Sequence, residues 1–169
     1  MSGAHRIYYW LVPCAKDAAR FSDVVAHLAD TQNAPVFTPH MSLAAIDGDQ
    51  PDLQPCIDIL SGLVVAPVEI DMTDAFTMSL FVRIERHPAL LRARAYMEAQ
   101  PGIISSRAFD PHLSLCYGPP PAGAADWDAV KALSEQPIRF DRLKTVDIPP
   151  RVETYDDIRA WKALQSIPF

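Results

Sequence analysis

The sequence predicts an α+β protein built from two similar halves, each of β-α-β-α-β content, related by a pseudo-twofold axis. Three observations carry this prediction. A seven-residue segment occurs twice, as Phe37-Thr38-Pro39-His40-Met41-Ser42-Leu43 and as Phe109-Asp110-Pro111-His112-Leu113-Ser114-Leu115, with the common pattern F-x-P-H-x-S-L. The two histidines are 72 residues apart (112 − 40). Segments of matching periodicity recur in the same order at that same offset on either side of them. A chain of 169 residues can bury one substantial core or two small lobes that share an interface. Two copies are too few for a solenoid, and no flexible linker separates them, so residues 1–169 are expected to form a single two-lobed domain.

The first half opens with Arg6–Val12, aromatic and β-branched and closed by Pro13, which predicts a strand buried on both faces. Phe21, Val24, Val25 and Leu28 recur at helical spacing, and Asp17 is a suitable cap for that helix over about 17–31. The first histidine segment runs as a strand to about Ile46. Pro51 suits a helix start, Leu53, Cys56, Ile57 and Leu60 supply its apolar stripe, and Gly62 ends it. Val64–Met72 is strand-like. At the 72-residue offset, Met78–Glu85 predicts a strand, and 89–103 a helix with Leu90, Ala93, Arg94 and Met97 on one face. The second histidine segment follows, then a helix over 123–134 with Trp127, Val130 and Leu133, and a strand starting in Gln136–Lys144. Ile158–Ile167, containing Trp161, predicts a terminal strand outside the repeat.

Composition limits the functions available. Hydrophobic residues make up 49% and charged residues 21%, as in ordinary soluble domains. A net charge of −6 argues against a footprint for extended nucleic acid but leaves room for a small phosphate ligand. No apolar run approaches the roughly 20 residues of a membrane span, and Met1–Arg6 lacks a signal-peptide layout. Cys14, Cys56 and Cys116 are odd in number and form no CxxC pair, which fits buried thiols of a cytoplasmic protein.

Residues two apart on a strand face the same side, so each copy of the segment presents an imidazole beside a hydroxyl. Each proline removes a backbone donor and suits a strand start or an edge. Histidine exchanges protons near neutrality. Two of them across a substrate can divide the work, one accepting a proton from attacking water and the other supplying one to the leaving oxygen. Two hydroxyls at the same point can stabilise phosphoryl oxygens without a metal. A structural histidine is the common reading of one such motif, but it gives no reason for the serine two residues later in both copies. A metal site is a weaker rival, because the two histidines lack a third ligand of the expected kind nearby, although Asp110 could in principle serve. Neither serine sits in a GxSxG-like turn, which weakens a serine-hydrolase reading.

The paired tetrads His40-Met41-Ser42-Leu43 and His112-Leu113-Ser114-Leu115 resemble the two H-x-[ST]-x motifs of the 2H phosphoesterase superfamily. The branch most similar is the cyclic phosphodiesterases, through Tyr9-Trp10-Leu11-Val12-Pro13, Pro39-His40, Pro111–Gly118 and Trp161. The resemblance covers nearly the whole chain. It implies a bilobal duplicated fold whose antiparallel-rich sheets face a central cleft, with helices outside. It also implies metal-independent hydrolysis of nucleoside 2′,3′-cyclic phosphates or ADP-ribose 1″,2″-cyclic phosphate, with no cofactor. By matching position, His40 and His112 would be the acid–base pair and Ser42 and Ser114 the phosphate-binding hydroxyls. Trp10 and Tyr117 would contact the base or ribose.

Strict alternation places Cys116, not Tyr117, on the face of His112 and Ser114, so Tyr117 reaches a cleft only if the strand ends or bulges before Gly118-Pro119. Cys116 is expected as a packed thiol. Phe76 is a further candidate wall of the pocket, and Arg83 and Arg107 are candidate positive charges near phosphate. A monomer without membrane or extended nucleic-acid partners is expected. Two other functions fit the same motifs: an RNA-end-processing enzyme resembling the 2′-5′ RNA ligase group, and a non-catalytic nucleotide-binding module.

Overall fold

The computed structural model of the chain describes residues 6–104, 108–123 and 125–169, so Arg107 lies outside the described residues. The order of elements is β1 (Arg6–Pro13), α1 (Ala15–Gln32), β2 (Met41–Ile46), α2 (Gln54–Leu60), β3 (Val64–Val65), β4 (Pro67–Met72), β5 (Leu80–Ile84), α3 (Pro88–Glu98), β6 (His112–Cys116), α4 (Trp127–Ala132), β7 (Ile138–Ile148), α5 (Tyr155–Arg159) and β8 (Lys162–Pro168). A short 3-10 turn, Phe76–Met78, precedes β5.

The strands form two antiparallel sheets. One runs β2-β1-β7-β3 with β8 also paired to β7, and the other runs β4-β5-β6. Strands cross between the halves. β7 leaves the second half to pair with β1, and β4 leaves the first half to pair with β5. The order β2-β1-β7 therefore has a counterpart in β6-β5-β4. Helix packing crosses as well: α1 lies against β6, and α3 lies against β2. The two histidine segments thus each rest on a helix from the other half, and β2 and β6 themselves approach one another.

Sequence patterning accounts for the main elements. Alternation along β1 sends Tyr9 and Leu11 into the main core, while Trp10 and Val12 join Val146 and Ile148 on the opposite face. The stripe of α1 buries Phe21, Val24, Val25 and Leu28, and the helix ends at Asn33 in the left-handed conformation with φ 51°. Leu90, Ala93 and Met97 do the same for α3.

Several boundaries differ from expectation. Cys14, not Asp17, occupies the N-cap of α1. Asp17 is instead buried in the first turn, where it accepts from the Arg139 N–H at 2.8 Å and from Arg20 Nε at 3.1 Å, tying the helix to the start of β7. Helix α2 starts at Gln54 with Pro55 in its first turn, so Pro51 lies in the preceding turn. The strand-like run 64–72 divides at Ala66: β3 joins the large sheet and β4 the small one. Met78 belongs to the 3-10 turn before β5. Helix α3 stops at Glu98, short of Pro101 and of Gly102 with φ +80°. Helix α4 is shorter than 123–134 because Asp126 caps it, accepting from the Ala129 N–H at 3.1 Å. At the C-terminus, Ile158 is the buried residue of α5, not the start of a strand. Thr154 and Asp157 form a capping box there, and Trp161 sits in the turn before β8.

Candidate functional site

A cavity of about 470 Å³ opens between the sheets, lined by both histidines, both serines, Trp10 and Tyr117. His40 stands immediately before β2, and His112 is the first residue of β6. The two copies hold their rings in the same way. His40 Nδ1 lies 2.6 Å from the Thr38 carbonyl oxygen, and His112 Nδ1 lies 2.7 Å from that of Asp110. A carbonyl only accepts, so each Nδ1 carries a proton, which leaves Nε2 as the atom at which each ring gains or loses one. The intervening prolines fix φ between carbonyl and ring, which explains their place in the repeated segment.

The surroundings of the two rings differ. His40 is 6% exposed and stacks on Trp10 with ring centroids 3.6 Å apart and planes 12° apart. Phe37 and Trp161 meet it edge-on. Burial lowers the His40 pKa to about 4, the bond to Thr38 opposes this, and the charge of His112 adds to it. His112 is half-buried, and its ring centroid lies 5.2 Å from that of Phe81 with the planes 63° apart.

The serines differ too. Ser42 is exposed to the cavity, and its hydroxyl has no hydrogen-bond partner among the described residues. Ser114 is 4% exposed and donates to the Thr77 carbonyl at 3.2 Å. Tyr117 follows the end of β6 and therefore escapes its alternation. It packs on Phe37 at 4.5 Å and Trp161 at 5.4 Å, and burial pushes its phenol pKa up, opposed by the Ser114 hydroxyl beside it. Gly118, with φ +92°, turns the chain away there, because a Cβ would lie 2.5 Å from the Tyr155 hydroxyl. Cys116 is a packed thiol whose Sγ lies 3.2 Å from Ser79 Oγ.

Two candidates are not where sequence reasoning put them. Phe76 packs on Tyr155, and its neighbours Thr77 and Met78 line the cavity instead. Arg83 is bound by Glu69, Asp71 and Asp110 at 2.6, 3.0 and 3.2 Å. Its charge is fully taken, and Asp110 is held by it. Among the described residues no group of three or more His, Cys, Asp or Glu side chains is placed to hold a metal, and no helix is long and apolar enough to cross a membrane.

Sequence reasoning also missed contributors. Arg94, read as part of a helix stripe, lines the cavity, as do Thr77 and Arg6. An arginine among the apolar positions of a helix was the available signal for the first. Trp161 closes the aromatic wall, and its indole Nε1, like that of Trp10, is buried without a partner among the described residues.

No protein-family model and no curated protein matches the sequence. Among solved structures, the fold is similar to E. coli LigT complexed with 3′-AMP, at 11% identity and a TM-score of 0.49, covering 97% of each chain. It is likewise similar to E. coli LigT complexed with phosphate, at 12% identity and a TM-score of 0.49, covering 99% of this chain and 98% of that one.

Proposed function

We propose that the chain is a metal-independent phosphodiesterase of the 2H type that hydrolyses small cyclic phosphodiesters to phosphomonoesters, with no cofactor. The observation that supports this reading above others is the repeated geometry: two imidazoles with identical Nδ1-to-carbonyl bonds, each two residues from a serine, lining one cavity. Both rings keep Nε2 free to take or, once protonated, to give a proton, which is the requirement for general acid–base catalysis at phosphorus. His40 is neutral at pH 7 because burial depresses its pKa to about 4. It therefore starts the reaction as the base that accepts a proton from water, and His112 supplies the proton to the departing ring oxygen. Ser42 donates a hydrogen bond to a non-bridging oxygen, and Ser114 does so on releasing the Thr77 carbonyl.

Trp10 serves His40 first: with that ring 3.6 Å from it, one face of the indole is closed to a nucleobase. Tyr117 and Trp161 remain as the aromatic wall for the nucleoside. The test is incubation of the protein with nucleoside 2′,3′-cyclic phosphates in EDTA, with the product followed by phosphorus NMR. Conversion to a single phosphomonoester is expected, with an acid limb of kcat/KM near the His40 value of about 4. Tight binding without conversion would leave a nucleotide-binding module, and conversion only after metal addition would contradict the mechanism.

A further inference from the structure

Beyond the histidines and serines the cavity continues along β1 and β2, and its far part holds two arginines, Arg94 and Arg6, the latter paired with Asp47 at 3.5 Å. Arg6, Tyr8 and Trp10 alternate on one face of β1, and all three line the cavity. Arg6 therefore lies ~13 Å along the strand from the Trp10–His40 stack, with Tyr8 midway. Arg94 reaches the same space from α3. The β1–β2 register pairs Tyr9 with Ala44 and Trp10 with Ser42, so Leu43 is passed over as a bulge. Arg94 Nη1 donates to that Leu43 carbonyl at 2.7 Å. Its Nε donates to Glu98 at 2.7 Å, and the guanidinium lies over the Phe109 ring at 5.3 Å. These contacts fix a cation beside the backbone that follows Ser42. The Arg94 side chain is only 12% exposed, and its Nη2 has no partner among the described residues.

We propose that Arg94, with Arg6 beyond it, forms a second anion subsite that takes the phosphate one sugar away from the cyclic phosphate, the group on the 5′ side of the nucleotide. This rests on the cyclic phosphodiesterase reading and deepens it: the site is built for nucleotides carrying a further phosphate, not for bare cyclic nucleosides. A planar, fixed guanidinium with an unused donor suits a phosphate oxygen. Arg83, the other cation near the cleft, is already matched by three carboxylates and offers nothing to a ligand.

The experiment compares kcat/KM for cytidine 2′,3′-cyclic phosphate with that for the same compound bearing a 5′-phosphate. Two further arms, a 5′-diphosphate form and a dinucleotide ending in a cyclic phosphate, separate a terminal phosphate from a pyrophosphate and from a chain phosphodiester. The wild type is expected to prefer the 5′-phosphorylated compound by about ten- to a hundredfold, mainly through KM, as befits a charge-assisted contact made equally in ground and transition states. Arg94→Met is expected to bring the ratio close to one. Glu98→Gln, which removes the countercharge but leaves the other Arg94 contacts, is expected to raise the ratio, so the proposal survives a failure of the first variant to fold. A wild-type ratio near one, or a ratio unchanged in both variants, overturns the subsite. Hydrolysis of none of the compounds would overturn the underlying phosphodiesterase reading as well, whereas equal hydrolysis of all of them overturns the subsite alone.

Discussion

Lowering the pH on the wild-type protein and on His40→Gln, side by side, probes how the fold holds its buried imidazole. The ordinary histidine pKa is 6.5 and that of folded His40 is about 4. Between these values the unfolded chain binds a proton that the native state refuses, so stability falls as the pH drops through the window. The neutral ring's contribution is fully present above 6.5, declines toward 4, and changes no further below that. A displacement of that size corresponds to roughly 3 kcal/mol, a large part of the stability of a domain this size. The group is 6% exposed, so solvent screening removes little of it. Urea denaturation at several pH values across the window measures the effect in each protein. The wild type is expected to lose roughly 3 kcal/mol relative to the variant. The depressed carboxyls of Asp17 and Asp157 also lose their contribution as the pH falls through and below the ordinary carboxylate range, but equally in both proteins. Identical pH dependence in the two proteins, or an NMR titration of His40 near its ordinary value, would refute the claim that burial keeps this ring neutral.

Two further substitutions follow from the site. Ser42→Ala is expected to lower kcat by about a hundred- to a thousandfold with little change in stability, the usual consequence of removing one preorganised donor. Ser114→Ala should lower kcat too and also cost about 1 kcal/mol in denaturation, because the Thr77 carbonyl loses its donor. Gly118→Ala forces a Cβ to within 2.5 Å of the Tyr155 hydroxyl at a left-handed φ of +92°. A loss of at least about 2 kcal/mol is expected, with near-UV circular dichroism changing as Tyr117 and Tyr155 shift.

Most of the candidate site was legible in the repeated segment. The residue types and their two-residue spacing located His40, Ser42, His112 and Ser114, and all four line one cavity. The 72-residue offset also anticipated the succession β5, α3, β6, α4 and β7 in the second half. Pairing between halves was not legible, because local periodicity says which residues face a core but not whose core: β7 and β4 both leave their own half. The roles of Asp17 and Arg94 were hidden for the same reason, since their partners, Arg139 and the Leu43 carbonyl, are distant in sequence. Trp10 illustrates a subtler case. Its place beside the cavity was expected from the family resemblance alone, while its stacking on His40 depends on the register of β1 against β2. The terminal strand was misjudged at Ile158 because the capping box of Thr154 and Asp157 directs a helical turn there before β8 begins.

Single-turnover hydrolysis of a nucleoside 2′,3′-cyclic phosphate by His40→Ala, His112→Ala and the double variant tests the paired acid–base claim most directly. Each single variant is expected to fall by about a hundred- to ten-thousandfold, and the double variant to fall scarcely further than either, because the two rings act as one unit. Near-normal turnover by either single variant would contradict the division of proton transfer between them.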